Sequence, residues 1–206
     1  MARPLVHVID DDVAIRRSLT RLLKSAGYDV QTFASAKEFM NRLPHEHPAC
    51  AVVDLRMPDM TGLELHEALV AAKDPVPVVF ITGYGDVPTG VHAMKAGAVD
   101  FLTKPYSAEA LLDAVRRAIE RDRRDREVRS RTREVVRRLH TLTPRERSVF
   151  SLVITGRLNK QVAAELGISE KTVKVHRARV MEKMQADSLA SLVRMAQDVG
   201  EARPAS

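Results

Sequence analysis

The stretch Leu5-Val6-His7-Val8-Ile9, followed at once by Asp10-Asp11-Asp12, is typical of a short buried strand that ends at a polar site. Four more short, mostly apolar segments follow in the first 120 residues: Tyr28–Phe33, Ala49–Val53, Val76–Ile81 and Val99–Leu102. Segments that are apolar on both faces indicate parallel strands covered by helices. Helix signals lie between them, among them a capping box at 35–38. This alternation predicts an open, doubly wound α/β sheet with its site beyond the carboxyl ends of the strands.

Charge is distributed unevenly along the 206 residues. Residues 1–120 hold 13 Lys and Arg against 16 Asp and Glu, and the remainder holds 20 against 11. The first part therefore carries −3 and the second +9, which together make the net charge of +6. Such an asymmetry indicates two functions, one of which involves a polyanion.

The composition also bears on the compartment. No apolar run approaches the roughly 20 residues that a membrane span needs, so no membrane partner is expected. The N-terminus continues directly into a strand candidate and does not resemble a secretory signal. The single cysteine, Cys50, cannot form an internal disulfide and is expected to be a small core residue. These features predict a cytoplasmic protein.

The segment 106–143 contains neither Pro nor Gly and is rich in Arg. Five acids in it have an Arg four residues later: Glu120, Asp122, Asp125, Glu127 and Glu134, before Arg124, Arg126, Arg129, Arg131 and Arg138. This spacing supports an isolated helix, so the segment is predicted to continue the fifth helix as a helical linker. A weak heptad pattern leaves a transient coiled coil open beside a solvated single helix; its positions are Val128, Thr132, Val135, Leu139 and Leu142.

The C-terminal part begins with a second capping box, Thr143-Pro-Arg-Glu146, whose Pro occupies the first helical position. Four short helices are predicted after it: Pro144–Thr155, Asn159–Leu166, Ser169–Met184 and Ser188–Val199. Gly167-Ile168 joins the second and third helices tightly, as in a helix-turn-helix.

Periodicity assigns the faces of the third of these helices. An inward stripe is predicted at Val173, His176, Val180 and Met184. The opposite, outward face carries Lys171, Lys174, Val175, Ala178 and Arg179. Cations suit phosphates or guanine, and small apolar groups suit thymine methyls, so this face is a candidate DNA-reading surface. Lys160 is placed for a phosphate, and Thr172 and Arg177 border the face; a merely solvated basic helix is the alternative.

Polar residues end several of the predicted strands. Asp10, Asp11 and Asp12 follow the first, Asp54 the third, Thr82 the fourth and Lys104 the fifth. A parallel sheet gathers these residues at one edge, where clustered carboxylates require a cation. Hard oxygen ligands favour Mg²⁺. The metal and the Lys104 ammonium could then neutralise a phosphoryl group arriving at a carboxylate, with the Thr82 hydroxyl as a donor.

Residues 1–120 resemble a response-regulator receiver domain. The resemblance rests on four motifs: Val8-Ile-Asp-Asp-Asp12, Asp54-Leu-Arg-Met-Pro58, Thr82-Gly83 and Asp100-Phe-Leu-Thr-Lys-Pro105. It implies a flavodoxin-like (βα)5 fold with a parallel sheet of order 2-1-3-4-5. It implies that Asp54 is the phosphoacceptor and that the acidic pocket binds Mg²⁺ (or Mn²⁺) through Asp11, Asp54 and the backbone carbonyl of Arg56. Asp10 belongs to this metal site but supports the ligands rather than binding the metal directly. It further implies a phosphate-sensing switch of Thr82, Phe101 and Lys104.

Residues 142–206 resemble a LuxR-type helix-turn-helix domain, joined to the receiver by the linker 121–141. The motifs are Leu142-Thr-Pro-Arg-Glu-Arg147, Asn159-Lys-Gln-Val-Ala163 and the run from Leu166 to Arg177. The whole arrangement resembles the FixJ/NarL group, and Gly85-Asp-Val-Pro88 and Met184-Gln-Ala-Asp-Ser-Leu189 lean towards FixJ. The resemblance implies phosphorylation by a sensor histidine kinase, a homodimer on a two-part promoter site, and contact with RNA polymerase.

Two other functions are compatible with parts of the sequence. Asp10-x-Asp12 after a strand resembles the start of a haloacid-dehalogenase phosphatase, an enzyme in which the first Asp is the nucleophile, although that assignment leaves Asp54 unused. A constitutive DNA-binding module, whose receiver only mediates protein contacts, is the other. We therefore expect a non-enzymatic regulator in which phosphorylation of Asp54 controls transcription.

Overall fold

The computed structural model describes residues 3–41, 48–71, 76–83 and 87–201. The contacts within the chain divide it into two compact units, Met1–Arg126 and Glu127–Ser206. The boundary between the units, at Arg126–Glu127, lies within a single helix that spans Ala108–Leu139.

The first unit alternates strands with helices, as the sequence predicts. Its elements are β1 (Leu5–Ile9), α1 (Val13–Ser25), β2 (Asp29–Phe33), α2 (Ala36–Met40), β3 (Ala49–Asp54), α3 (Gly62–Ala71), β4 (Val78–Thr82), α4 (Val87–Lys95), β5 (Asp100–Thr103) and α5 (Ala108–Leu139). In the described part of the chain, the strands form one parallel sheet of order β2-β1-β3-β4-β5. This order confirms the predicted 2-1-3-4-5 topology.

The sheet has an apolar layer on each face, which is why its central strands are apolar in both directions. One layer includes Phe39, Leu65 and Phe80, and the other includes Leu23 and Leu111, all fully buried. Every residue of β3 and β4 is buried. The polar groups that end these strands are therefore fixed on a rigid support.

Three strands begin one or two residues later than predicted. Tyr28 is part of the turn that follows α1, because its backbone N–H donates to the carbonyl of Leu23 at 3.1 Å. Gly27 makes this closure possible with a left-handed φ of 90°. β4 begins at Val78 because Pro77, which precedes it, has no N–H to give to a ladder.

The predicted continuation of the fifth helix through the linker is confirmed, since α5 runs from Ala108 to Leu139. Ser107 caps its start, where the side-chain oxygen accepts the N–H of Ala110 at 3.1 Å. The expected acid-to-arginine pairs include Glu120 with Arg124 at 3.2 Å and Glu134 with Arg138 at 2.8 Å. Asp125 lies 4.0 Å from Arg121, which precedes it by four residues in the reverse of the expected order.

The heptad positions of the linker do not form one continuous seam. Val135 and Leu139 are 6% and 4% exposed and belong to the core of the second unit, and Leu142 packs against the same core. Val128 is 62% exposed. Because two seam positions are already used within the unit, the structure favours the single-helix alternative over the coiled coil.

The second unit is helical, with α6 (Pro144–Val153), α7 (Asn159–Leu166), α8 (Glu170–Met184) and α9 (Leu189–Asp198). The capping box predicted at Thr143 is present in both directions, and the Ser169 side chain caps α8. Gly167 adopts φ 63° between α7 and α8 and forms the predicted tight joint. α6 ends at Val153, two residues before the predicted end, because the turn to Gly156 begins there.

Glu146 is the buried polar centre of the second unit. Its side chain accepts from the Lys183 ammonium of α8 at 2.6 Å and from the Thr143 N–H at 2.8 Å. The Lys183 hydrogen bond and then the Thr143 N–H lower the pKa of Glu146 from 4.5 to about 2. One carboxylate therefore joins the start of α6 to the end of α8.

Gly62 holds the loop after β3 against the sheet. A Cβ atom at this position would lie 2.6 Å from the carbonyl oxygen of Asp54 and 3.0 Å from the ring of Phe80. The Gly62 N–H also donates to the carbonyl of Leu55 at 3.0 Å. The close approach of backbone to backbone, rather than a special φ, requires glycine here.

We expect Gly62→Ala to lower the free energy of unfolding of the first unit by about 1–3 kcal/mol, because the added methyl group displaces the backbone of Asp54. Urea unfolding followed by circular dichroism measures this loss. Gly83→Ala is the matched control, since a Cβ at Gly83 meets nothing within 4 Å. Equal stability of the two variants would contradict the packing described for Gly62.

We expect the second unit to lose stability as the pH falls from about 4.5 towards about 2, since Glu146 must then be protonated although its folded-state pKa is depressed. Glu146→Gln removes the charge-assisted bond at neutral pH, at a cost of about 1–3 kcal/mol, and flattens this acid dependence. Urea unfolding at several pH values tests both points. Glu165→Gln, which removes an exposed partner of Arg157, serves as control.

Candidate functional site

Two carboxylates and one ammonium meet at the carboxyl edge of the sheet. Asp10 follows β1, Asp54 ends β3 and Lys104 follows β5. The Nζ atom of Lys104 lies 2.8 Å from Oδ1 of Asp54 and 3.2 Å from Oδ2 of Asp10. The structure thus brings together three predicted site residues that are up to 94 positions apart in sequence.

Burial makes this arrangement electrostatically demanding. Asp10 and Asp54 are 1% and 7% exposed. Burial raises the pKa of Asp10, and the backbone N–H of Asp12 and the nearby Lys104 offset only part of that rise. For Lys104, burial acts to lower the pKa, but the hydrogen bond and charge of Asp54, together with Asp10, raise it overall. Lys104 is therefore held in its charged form and its position depends on both acids.

Backbone contacts fix the orientation of the two carboxylates. Asp54 Oδ2 accepts the N–H of Arg56 at 2.8 Å, and Asp10 Oδ1 accepts the N–H of Asp12 at 2.8 Å. The guanidinium of Arg16 donates to the backbone carbonyl of Asp10 at 2.6 Å. Arg16 was not predicted as part of the site, because its role depends on how α1 lies against the end of β1.

The three consecutive acids have different environments. Asp12 is the N-cap of α1, and its Oδ1 accepts from the N–H groups of Ala14 and Ile15 at 2.7 and 3.4 Å. Asp11 is exposed beside the buried Asp10. A helix cap and a candidate metal ligand are thus separated by a single residue.

Thr82 ends β4, which lies next to β3, and Phe101 lies on β5, the strand beyond β4. Thr82 is 1% exposed, and its carbonyl accepts the N–H of Lys104 at 2.7 Å. Phe101 is half-buried, and its ring lies against α4: a Cβ added at Gly90 of that helix would lie 3.3 Å from the ring. The structure therefore places Thr82 and Lys104 together and Phe101 against α4.

The pocket residues have the chemistry of a Mg²⁺ site. Within the described ranges, no three His, Cys, Asp or Glu side chains are grouped closely enough to hold a metal ion, and the Lys104 ammonium lies between the two buried acids. Carboxylate and carbonyl oxygens are nevertheless the donors that Mg²⁺ prefers, and it needs only one or two carboxylates because it keeps several waters. The residues present fit this metal.

The outer face of α8 is composed as predicted. Val173, Val180 and Met184 are buried, which confirms most of the inward stripe, and His176 is half-buried. The exposed residues are Lys171, Lys174, Val175, Ala178 and Arg179, with Lys160 exposed on α7. Two neighbouring helices in this unit thus present cations to solvent.

Two residues at the border of this face make internal contacts. The Arg177 guanidinium donates to Oδ1 of Asn159 at 3.2 Å, and the Thr172 N–H donates to the capping oxygen of Ser169 at 3.1 Å. Arg177 therefore connects α8 to the first turn of α7. Sequence spacing could not reveal this connection, because the two residues lie in different helices.

One predicted motif, at 85–88, lies partly outside the described residues and is not located here. In the part of the chain that the structure describes, no helix has the length and hydropathy to cross a bilayer.

Comparisons with known proteins identify both parts of the chain. The family described as "Response regulator receiver domain" matches residues 6–116, and "Bacterial regulatory proteins, luxR family" matches residues 140–196. Nodulation protein W of Bradyrhizobium diazoefficiens is 47% identical over 198 residues, which cover 96% of this chain and 87% of that protein. The transcriptional regulatory protein FixJ of the same organism is 44% identical, with 95% of each chain covered.

A solved structure covers almost the whole chain. The response regulator StyR superposes with a TM-score of 0.84 at 46% identity, covering 95% of this chain and 99% of that one. These matched proteins and families are regulators rather than enzymes, which makes the phosphatase assignment wrong. The chain belongs to the two-component response regulators, and it is a transcription regulator with a receiver domain and a LuxR-type DNA-binding domain.

Proposed function

We propose that a sensor histidine kinase phosphorylates Asp54 and that this modification promotes dimerisation and sequence-specific promoter binding, with activation of transcription through contact with RNA polymerase. In this proposal residues 1–120 receive the signal, 121–141 are the helical linker and 142–206 bind DNA. The observation that carries it is the pair formed by buried Asp54 and Lys104, at 2.8 Å. A carboxylate at the end of a buried strand beside a fixed ammonium is suited to accept a phosphoryl group.

The pocket supplies the groups that this transfer needs. An Asp54 oxygen attacks phosphorus as the phosphorus–nitrogen bond of the kinase phosphohistidine breaks, and the imidazole keeps that electron pair. Mg²⁺, when bound, supplies positive charge that offsets the carboxylates and the phosphoryl oxygens. Asp11, Asp54 and the Arg56 carbonyl would bind it, with Asp10 supporting these ligands. Lys104 can move from Asp54 to the new phosphoryl oxygens, because its side chain is flexible and its raised pKa keeps it protonated.

The response to phosphorylation would pass through Thr82 and Phe101. A phosphoryl group on Asp54 attracts the Thr82 hydroxyl, and the Lys104 N–H is already bonded to the Thr82 carbonyl. Movement at Thr82 frees space on the next strand, β5, into which Phe101 can turn. Phe101 packs against Gly90 of α4, so its rotation changes the surface of that helix.

The surface that would change is apolar and exposed, which supports a role in dimerisation. Val91 and Met94 of α4 are 46% and 47% exposed, and they line a shallow cavity together with Gly90 and Phe101. Moving a two-state equilibrium from a minor to a dominant population needs a few kcal/mol of differential interaction. A new dianionic group with several charge-assisted contacts is an adequate source.

The DNA-binding assignment rests on the outer face of α8. Lys171, Lys174 and Arg179 can contact phosphates or guanine, while Val175 and Ala178 can pack on thymine methyl groups. Lys160 would hold a phosphate at the start of α7. Val175 is 47% exposed, so its methyl groups are free to contact a base in the groove.

A constitutive DNA-binding module remains a second candidate, since the helix-turn-helix forms its own core within the second unit. In that case the receiver would mediate protein contacts without accepting phosphate. The buried Asp54–Lys104 pair favours the regulated function, because burying two opposed carboxylates has no evident structural benefit.

We expect the full-length protein to gain one phosphoryl group from acetyl phosphate in the presence of Mg²⁺, and Asp54→Asn to gain none, because the amide is not a nucleophile for phosphorus. Intact-protein mass spectrometry measures the added mass. Asp59→Asn, an exposed position in the same loop, is the control that should retain phosphorylation. Chelation of the metal should abolish the reaction in every variant.

The outcomes separate the two candidates. Phosphorylation of wild type that leaves dimerisation and promoter binding unchanged would support the constitutive module. An Asp54→Asn variant that dimerises and activates a promoter normally on stimulation would exclude the regulated function.

We expect Lys174→Ala to weaken promoter binding and to reduce the slope of log K against log salt by about 0.9, if the lysine neutralises one phosphate. Fluorescence anisotropy with promoter and unrelated duplexes at several salt concentrations gives both quantities. Arg131→Ala removes the same charge from the exposed surface of α5 and should leave the slope unchanged. A larger effect of Arg131→Ala would disprove the assigned DNA face.

A further inference from the structure

Arg16 bonds the backbone of the acidic pocket rather than one of its carboxylates. It is the fourth residue of α1 and is half-buried. Its side chain reaches back past the start of the helix, where Nη1 donates to the backbone carbonyl of Asp10 at 2.6 Å. Because the acceptor is a carbonyl, this contact occupies no carboxylate oxygen that a metal ion or a lysine could use.

The other polar groups of Asp10 are held by different parts of the chain. Its N–H donates to the carbonyl of Phe33, at the end of β2, at 3.3 Å. Its Oδ1 accepts the N–H of Asp12 at 2.8 Å, and its Oδ2 accepts from the Lys104 ammonium at 3.2 Å. The bond from Arg16 therefore completes the set of contacts that fix Asp10, and it is the contact that fixes its carbonyl.

The carbonyl that Arg16 holds is part of the peptide group that joins Asp10 to Asp11. A peptide group is planar, so a bond that fixes its carbonyl also limits where the nitrogen and Cα of Asp11 can lie. On the other side of Asp11, Asp12 is anchored as the N-cap of α1, where its Oδ1 accepts the N–H of Ala14 at 2.7 Å. The exposed Asp11 thus lies between two fixed neighbours, and Arg16 fixes one of them.

The charge and the hydrogen bond of Arg16 should have opposite effects on a bound metal ion. A guanidinium close to the pocket repels a divalent cation, so its charge alone would weaken the binding of Mg²⁺. Groups that orient metal ligands through hydrogen bonds strengthen binding, and their loss typically lowers metal affinity by about 10- to 100-fold. The sign of the change in affinity on removing Arg16 therefore shows which effect is larger.

We propose that Arg16 is a positioning residue for Mg²⁺. It holds the peptide group between Asp10 and Asp11 so that the Asp11 carboxylate is directed to the metal. Through the occupancy of the metal site it also sets how readily Asp54 accepts a phosphoryl group, and this second part rests on the function proposed above.

The metal affinity of the full-length protein tests the first part without any phosphoryl donor. Titration with Mn²⁺, followed by the electron paramagnetic resonance signal of the free ion and then by competition with Mg²⁺, gives both dissociation constants. We expect Arg16→Met to raise the Mg²⁺ dissociation constant by about tenfold, because methionine keeps an unbranched side chain and a good helix propensity but has no donor. An unchanged or lower dissociation constant would overturn the proposal.

Arg17→Met is the matched control, because it removes the same charge from an exposed position one residue further along α1. Its Mg²⁺ dissociation constant should equal that of the wild type or fall slightly, as expected when only a repelling charge is lost. Weakening as large as that in Arg16→Met would show that the charge of the helix surface, and not the bond to Asp10, supports metal binding.

Two further variants test the hydrogen bond itself. Arg16→Lys restores a cationic donor, although with a single nitrogen in place of the guanidinium fork, and should recover most of the affinity lost in Arg16→Met. Arg16→Gln covers the case in which Arg16→Met fails to fold, since its shorter, uncharged side chain should also raise the dissociation constant. A lysine variant as weak as Arg16→Met, or a glutamine variant as tight as the wild type, would reject the positioning role.

The rate of phosphorylation by acetyl phosphate tests the second part. At Mg²⁺ concentrations well below the dissociation constant, Arg16→Met should react about tenfold more slowly than the wild type, in proportion to its lower metal occupancy. Saturating Mg²⁺ should restore most of the rate, and a deficit that persists at saturation would refute this part. A wild type that binds Mg²⁺ but gains no phosphoryl group would refute the proposed function, while the dissociation constants would still decide the role of Arg16.

Discussion

The contact on which the receiver unit depends is the bond of the Lys104 ammonium to two buried carboxylates. Asp10 and Asp54 arrive from neighbouring parallel strands, and each would repel the other without a cation between them. Lys104 is brought there by its own backbone bond to Thr82. The sheet order, the length of β5 and the loop after it all serve to place one positive charge within 3.2 Å of both acids. One ammonium thus offsets the charge of two carboxylates, and any further charged group in the pocket would change this arrangement.

Much of this arrangement could be predicted from the sequence, because its causes are local. The central strands are apolar on both faces, and Thr143 with Glu146 forms a capping box that four consecutive residues suffice to specify. The convergence of Asp10, Asp54 and Lys104 followed from one general rule, that parallel strands end at a common edge. The inward stripe of α8 followed from helical periodicity for Val173 and Val180.

The features that escaped prediction are set by distant parts of the chain. Asp122 has the spacing of a surface ion pair, but its carboxylate is buried and accepts the N–H of Ala49 at the start of β3. Gly62 has no special φ, so its need for glycine arises from the backbone of Asp54 passing beside it. Val135 and Leu139 fit a heptad, yet the core of the helical unit takes them. In each case the sequence pattern predicted the local helix or loop correctly but could not predict which distant residues would contact it.

The three consecutive acids after β1 are the same residue type but have different structural roles. Asp12 only needs to offer an oxygen to the first amides of α1, a task that Ser, Thr or Asn performs equally well. Asp10 is enclosed and tied to Lys104, and Asp11 faces outward. Evolutionary drift should therefore be free at the third position and restricted at the first two, so that an apparently uniform acidic triplet comprises one replaceable residue and two constrained ones.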